Sequence, residues 1–221
     1  MIQSNEYDIT LVSRGNWHYD SNIRIKPYVE ALVCDRNRVP QCDNCSINAL
    51  KHCQDLVRLV NETKTLDVVL DFSAYQPKWV HDAVDLLNGK EVGVYIYISS
   101  DAVYEVSKPK SSKRLSKGKA KAVIFTFVSK NALRNKITNL KEEDAQRPED
   151  PKIRNRLKQQ DPYGDAKFAG ETVLEDQRLK GGFPWVAFRY ADVIGPRDVT
   201  RKFYLASFYR IGRQYYLTNI W

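Results

Sequence analysis

The chain of 221 residues contains no apolar run that approaches the roughly 20 residues needed to span a bilayer. Its polar start, Met1 to Asp8, also lacks the basic segment and the apolar stretch of a secretory signal peptide. These two absences argue against a membrane partner and favour a cytoplasmic protein. Hydrophobic residues at 43% and aromatic residues at 11% are typical of a globular fold rather than of a disordered chain.

Acidic residues are missing from one long segment. From Lys108 to Lys141 there are 11 Lys and Arg residues and no Asp or Glu, although the whole chain has a net charge of only +8. The rest of the chain is therefore mildly acidic, at −3. Such a block is usually a solvated or disordered loop, and sometimes a surface that binds phosphate. We expect residues 105–141 to be a disordered basic insertion, and any RNA to bind through residues 108–141.

Cysteine is scarce, and all four cysteines lie in one short region: Cys34, Cys42, Cys45 and Cys53. The C-x-x-C spacing of Cys42 and Cys45 is typical of a zinc or redox pair. No second C-x-x-C pair completes a metal site, so plain thiols are favoured and no metal ligand is predicted. Cys34 is expected to end a buried strand, and Cys53 to lie within a helix as a small apolar residue. Disulfides are not expected in a cytosolic protein.

Apolar segments that predict strands alternate with periodic segments that predict helices. The strands are expected at 7–13, 28–34, 66–72, 92–98 and 185–189, and the helices at 47–60, 77–87 and 161–180. This order predicts an α/β fold with a doubly wound parallel sheet. The largely apolar strand 66–72 is typical of a sheet that is covered on both faces. Polar residues follow four strands, at Arg14, Asp35, Ser73 and Ser100, where open α/β sheets bind ligands.

The helix predicted at 161–180 places Tyr163 and Lys167 four residues apart, on one face. Asp161 and Pro162 are residues that favour the start of a helix. An ammonium one turn away favours the phenolate, so we expect the pKa of Tyr163 to be lowered. Such a pair is able to do acid–base chemistry near neutral pH. The spacing alone also fits an ordinary exposed Tyr and Lys.

Four segments, in this order, resemble motifs of the extended and atypical short-chain dehydrogenase/reductases, the group of nucleotide-sugar epimerases and dehydratases. Asp67-Val-Val-Leu-Asp-Phe-Ser-Ala74 resembles the D-V-V-I-H-L-A-A strand and cofactor loop, and Ile98-Ser-Ser-Asp-Ala-Val-Tyr104 resembles S-S-x-x-V-Y. Tyr163 to Glu171 resembles Y-G-x-S-K-x-x-x-E, and Phe188 to Pro196 resembles L-R-Y-F-N-V-Y-G-P. Within the group, a Ser-Arg-Gly turn and an acidic run are similar to those of chloroplast stem-loop RNA-binding relatives.

The resemblance implies a Rossmann-like fold, NAD or NADP as cofactor, and a nucleotide-sugar-like or other small-molecule substrate. It implies that Tyr163 is the catalytic acid or base, that Lys167 holds the nicotinamide ribose, and that Ser100 binds the reacting oxygen. It also places Asp35 near the adenine and puts the residues Phe72, Ser73 and Ala74 in the cofactor loop. Arg14 pairs with a 2′-phosphate in this reading, which leans toward NADP, but it also fits a solvated loop charge.

The chain departs from the family where the first strand and its Gly-rich turn are expected. That turn places backbone N–H groups and a helix N-terminus against the pyrophosphate. Met1 to Glu6 contains no glycine and is too short for a strand, a turn and a helix. The missing strand is the centre of the sheet, so the strands at 7–13 and 66–72 lose the neighbour between them. We expect an incomplete or alternatively spliced version of a longer enzyme.

The expected organisation has three parts. Residues 1–104 and 142–198 form an incomplete dinucleotide-binding domain, 105–141 is the basic insertion, and 199–221 is a remnant without a full substrate domain. The C-terminal run from Phe203 to Tyr209 is expected to match nothing in the family. The functional alternatives are an oxidoreductase, weakly active or inactive in this chain, and a non-catalytic RNA-binding protein on the same fold.

Overall fold

The computed structural model describes residues 7–37, 48–108 and 141–191. In these ranges, strands and helices alternate, and all paired strands are parallel, which confirms the predicted α/β class. The strands are β1 (Thr10–Ser13), β2 (Glu30–Val33), β3 (Thr65–Asp71), β4 (Glu91–Ser100) and β5 (Trp185–Tyr190). The helices are α1 (Ser21–Arg24), α2 (Gln54–Glu62), α3 (Pro77–Leu86), α4 (Pro151–Gln160) and α5 (Pro162–Leu179). None of them is both long and apolar enough to cross a membrane.

The strands form two sheets within the described ranges. One sheet pairs β1 with β2, and the other has the order β3-β4-β5. No backbone ladder joins β1 to β3 in this part of the chain.

One ion pair connects the ends of the two sheets. Arg36, three residues after β2, places its Nη2 atom 3.0 Å from Oδ2 of Asp71, the last residue of β3. Asp71 is only 5% exposed, and the hydroxyl of Tyr95 donates to it at 2.7 Å. The carboxyl ends of β2 and β3 therefore lie close together, at the edge where the sequence places ligands.

Helices α3 and α5 pack against each other over one face of the β3-β4-β5 sheet. The side chains of Tyr95 and Tyr97 on that face are completely buried. On the opposite face Val68, Leu70 and Phe188 are exposed. The expectation of a sheet covered on both faces is thus wrong for the described residues. Both crossovers, from β3 to β4 and from β4 to β5, run in the same direction, so right-handed connections place their helices on the same face.

Helix α2 begins later than predicted, at Gln54 rather than at residue 47. Residue 47 lies outside the described ranges. The preceding residues form a turn that the side chain of Asn48 stabilises. Its amide group donates to the carbonyl of Asp82 at 2.7 Å, and its Oδ1 atom accepts from the N–H of Leu50 at 2.9 Å.

The expectation that the chain has no disulfide is wrong. Cys34, directly after β2, and Cys53, directly before α2, form a disulfide bond, with their Cα atoms 5.4 Å apart. Both cysteines are buried, and the end of β2 packs against the start of α2 in the main core. Cys42 and Cys45 lie outside the described residues, within which no group of three or more potential metal ligands comes together.

Helix α4 was missed from the sequence because it has few apolar positions. Asp150 caps it by accepting from the N–H of Lys152 at 2.8 Å. Just before it, Lys108 of the basic insertion contacts the segment that follows the insertion: its N–H donates to the carbonyl of Gln146 at 2.7 Å, and its ammonium pairs with Glu149 at 2.6 Å. The interior of the insertion, 109–140, and the C-terminal remnant, 199–221, lie outside the described residues.

Candidate functional site at the carboxyl end of β4

The start of helix α5 is fixed against the end of β4. Oδ1 of Asp161 accepts from the N–H of Gly164 at 2.9 Å, which confirms the predicted cap. A Cβ atom at Gly164 would lie 2.4 Å from the carbonyl oxygen of Ala102. Only glycine therefore allows this close approach, which brings the neighbouring Tyr163 to the sheet edge.

Ser100 is the last residue of β4 and begins the 3₁₀ helix Asp101–Tyr104. Its hydroxyl accepts from the N–H of Ala102 at 3.2 Å and donates to Asp101 at 3.3 Å. Tyr163, which is 45% exposed, lies beside Ser100. The hydroxyl groups of Ser100 and Tyr163 thus form one polar pair that is open to solvent on the Tyr163 side.

Lys167 lies one turn further along α5 and is 1% exposed. Its ammonium donates to the carbonyl of Ile98 at 2.8 Å and to the carbonyl of Ala74 at 3.0 Å. Because burial disfavours the charged form, the pKa of Lys167 is lowered to about 8, and the negative charge of Asp71 opposes this decrease.

The pKa of Tyr163 differs from the sequence-based expectation. Burial raises it above its ordinary value, and the Ser100 hydroxyl only partly opposes the rise. The Lys167 ammonium is 5.9 Å from the centroid of the Tyr163 ring and is directed to two backbone carbonyls instead of to the phenol. The expected lowering by Lys167 is therefore wrong for this form of the site, in which Tyr163 keeps its proton at neutral pH.

Two further tyrosines surround Lys167 and were missed from the sequence. Its ammonium lies 4.8 Å from the ring centroid of Tyr75 and 4.9 Å from that of Tyr97. The ring of Tyr75 is also 6.5 Å from that of Tyr163. The alternation of β4 puts Tyr97 on the helix-covered face, a signal that was present in the sequence. Tyr75 lies in a loop, where no periodicity indicates its direction.

The predicted cofactor loop follows β3 and is held by Asp71. Oδ1 of Asp71 accepts from the N–H groups of Ser73 and Ala74, both at 3.0 Å. The carbonyl of Ala74 is then positioned for Lys167, while Phe72 is exposed. Ser73 and Ala74 thus join the Tyr163–Lys167–Ser100 group at one edge of the sheet.

Arg14 and Asp35 lie on the other sheet, after β1 and β2. Arg14 is exposed, and Asp35 is half-buried and accepts from the N–H of Asn37 at 3.0 Å. In the described part of the chain, no hydrogen bond or ion pair joins either residue to the Tyr163–Lys167 group. Arg36 is the residue that reaches across instead, and a lone arginine next to the predicted Asp35 gave no signal for this pairing.

A parallel α/β fold with a Tyr–Lys helix beside the serine at a strand end defines a class of nicotinamide-dependent oxidoreductase-like proteins. Residues 3–214 match the model of the NAD dependent epimerase/dehydratase family, and the chain belongs to that family. No significant match was found among curated proteins or solved structures. The matched range includes Phe203 to Tyr209, so the expectation that this segment matches nothing in the family is wrong.

Family membership implies a nicotinamide cofactor and a small-molecule, sugar-like substrate. The described residues fit such a cofactor at one end. Ser100, Tyr163, Lys167 and the Ala74 loop lie together at the carboxyl end of β4 and offer it polar groups. At the other end, the described turn after β1 has a single glycine, Gly15, with φ of 86°, and no glycine-rich turn that opens a helix. Residues 7–37, 48–108 and 141–191 therefore contain no glycine-rich backbone cradle of the usual kind for a pyrophosphate.

Proposed function

We propose that the chain is an epimerase/dehydratase-type oxidoreductase by ancestry, with Tyr163, Lys167 and Ser100 as its catalytic group, and that on its own it binds NAD(P)H weakly. The observation that carries this proposal is the assembly of these three side chains at the carboxyl end of β4. Ser100 and Tyr163 are 63 positions apart in the sequence, and the fold brings them together.

In the proposed mechanism, the nicotinamide supplies or accepts a hydride at the substrate carbon when the cofactor is bound. The hydroxyl of Ser100 holds the oxygen on that carbon. Tyr163 keeps its proton at neutral pH because its pKa is raised, so it acts first as a donor to that oxygen. Lys167, whose ammonium lies 5.9 Å from the centroid of the Tyr163 ring, would hold the ribose of the cofactor. Because Tyr163 begins as a proton donor, these roles favour reduction of a carbonyl as the first reaction at this site.

The weak binding follows from the missing pyrophosphate cradle. Each hydrogen bond between a backbone N–H and a charged group contributes about 1.5–3 kcal/mol. Two such losses amount to roughly 4 kcal/mol, which is about a thousandfold in the dissociation constant. A micromolar site becomes a millimolar site. The exposed Arg14 favours NADPH over NADH in this proposal, through the 2′-phosphate.

The test is a fluorescence titration of the purified chain with NADPH and with NADH. We expect dissociation constants in the millimolar range, and weaker binding still in Lys167→Met, which keeps the length of the side chain. Saturable binding below about 10 μM, or roughly −7 kcal/mol, would contradict the weak-binding proposal. Binding that Lys167→Met leaves unchanged would contradict the proposed site.

RNA binding remains the alternative prediction for residues 108–141, whose interior lies outside the described residues. Its support is the composition of this segment, which contains 11 basic residues and no acidic residue. If RNA binds through phosphate contacts, the logarithm of the association constant should fall linearly with the logarithm of the salt concentration. Each contact should make that slope steeper. An affinity independent of salt would rule out this mode of binding.

A further inference from the structure

A buried network surrounds the position of Ser100 without containing Ser100 itself. At its centre is Glu171, on α5, whose side chain is 5% exposed. Its Oε2 atom accepts from Nη2 of Arg189 at 2.7 Å, and its Oε1 atom accepts from Nε of Arg189 at 3.0 Å. Oε1 also accepts from the hydroxyl of Ser99 at 2.6 Å. The carboxylate thus holds both members of a cross-strand pair, because Ser99 on β4 is the register partner of Arg189 on β5.

The same arginine holds the segment that follows Ser100. Nη1 of Arg189 donates to the hydroxyl of Tyr104 at 3.1 Å, and the guanidinium lies 5.3 Å from the centroid of the Tyr104 ring. Tyr104 ends the short 3₁₀ helix that Ser100 begins. The Glu171–Arg189 pair therefore fixes the residue before Ser100 and the helix after it.

Glu171 also shares its helix with the other two members of the candidate site. Tyr163, Lys167 and Glu171 follow at intervals of four residues and lie along one face of α5. A shift or rotation of α5 relative to β4 would separate Tyr163 from Ser100. The bidentate bond from Arg189 to Glu171 opposes such movement, because two parallel hydrogen bonds fix the angle as well as the distance.

We propose that Glu171 and Arg189 are positioning residues that hold Tyr163 beside Ser100. This role rests on the proposed function of Tyr163 and Ser100, but its direct consequence is the state of the phenol. If the pair only stabilised the fold, its loss would lower the unfolding temperature and leave the environment of Tyr163 unchanged. If it positions the site, its loss also moves Tyr163 away from Ser100 and changes the titration of the phenol.

The test uses 3-fluorotyrosine, whose phenol is more acidic than that of tyrosine, so that its titration ends while the fold is intact. The ¹⁹F signal of residue 163 is assigned as the one that disappears in Tyr163→Phe. Glu171→Gln keeps an oxygen for Ser99 but removes the charge that binds Arg189. We expect it to change the pKa of residue 163 by about 0.5 or more, the size of one hydrogen bond, in the same direction as Ser100→Ala.

Two comparisons separate positioning from stability alone. Asp82→Asn removes another buried carboxylate, on α3, which pairs with Lys78 and accepts from the N–H of Ala49. We expect it to lower the unfolding temperature without changing the titration of residue 163. In a protein that already carries Ser100→Ala, Glu171→Gln should cause no further change in that pKa.

An unchanged pKa in Glu171→Gln, or a full additional change in the Ser100→Ala background, would overturn the proposal. Arg189→Lys, which keeps the charge but loses the bidentate geometry, gives the same readout if Glu171→Gln does not fold. None of these measurements requires cofactor binding. An NADPH titration that contradicts the proposed function would therefore leave this test unaffected.

Discussion

The two sheets of the described structure differ sharply in how they are stabilised. The β3-β4-β5 sheet has a covered face with completely buried side chains, including Tyr95, Tyr97 and Lys167. The β1-β2 sheet has two strands of four residues, and no residue of either strand is buried. Parallel pairs of this length are not stable alone in water. The comparison shows that the proposed catalytic group lies on the region that has its own core, while the β1-β2 region depends on its connections to that core.

Among the described residues, two links connect the β1-β2 region to the rest of the fold: the Arg36–Asp71 ion pair and the Cys34–Cys53 disulfide. Each joins the end of β2 to a different element, β3 in the first case and α2 in the second. Mutations at these links should therefore affect the β1-β2 region first.

The largest effect is expected for Asp71→Ala. It leaves the Arg36 guanidinium, the Tyr95 hydroxyl and the N–H groups of Ser73 and Ala74 without their acceptor. Removing one partner of a buried ion pair typically costs about 3–5 kcal/mol. Urea denaturation should show a decrease of that size in the free energy of unfolding.

The matched control for Asp71→Ala is Asp55→Ala, which breaks the exposed Asp55–Arg58 pair on α2. An exposed pair contributes only about 0–1 kcal/mol. Equal losses for the two variants would show that Asp71 is not a special connection between the sheets.

Loss of the disulfide is expected to have the next largest effect. A disulfide that closes a loop of about 15 residues stabilises a fold by roughly 3 kcal/mol, and Cys34 and Cys53 are 19 positions apart. In Cys34→Ser, amide hydrogen exchange should become faster in β1 and β2 and change little in β4. Uniform acceleration across both sheets would show instead that the chain unfolds as one cooperative unit.

The sequence was sufficient for the elements with a strong pattern and insufficient for contacts between distant segments. The alternation of apolar residues predicted β3, β4 and β5 within two residues of their ends, and Asp161 with Pro162 predicted the start of α5. The group formed by Ser100, Tyr163 and Lys167 came from motifs, because spacing alone also fits ordinary surface residues. The candidate chemical roles of these three residues could therefore be predicted before the fold was known.

Contacts between residues far apart in the sequence could not be predicted from local sequence patterns. Arg36 pairs with a residue 35 positions away, and Lys167 binds a carbonyl 93 positions away. The expected lowering of the pKa of Tyr163 was wrong for the same reason. The spacing of four residues places Lys167 on the correct face, but the direction of its ammonium depends on Ala74 and Ile98. The disulfide likewise requires the packing of β2 on α2, which the pattern of single segments does not specify.

The smallest expected effect sharpens the description of the buried site itself, through the pH dependence of stability. Burial lowers the pKa of Lys167 from 10.5 in the unfolded chain to about 8 in the fold. Between these values the unfolded chain binds the proton and the native chain does not, so the free energy of unfolding rises with pH. The slope of about 1.36 kcal/mol per pH unit gives a gain of about 2 kcal/mol between pH 8 and about pH 9.5.

The measurement stays below pH 10, because the raised pKa values of Tyr163, Tyr95 and Tyr97 make stability fall as pH rises further. Lys167→Met, which has no titratable group there, should lower stability at pH 8 but show no increase toward pH 9.5. A wild-type curve as flat as that of Lys167→Met would mean that Lys167 keeps its proton throughout, and that its ammonium is a permanent charge held by the two carbonyls.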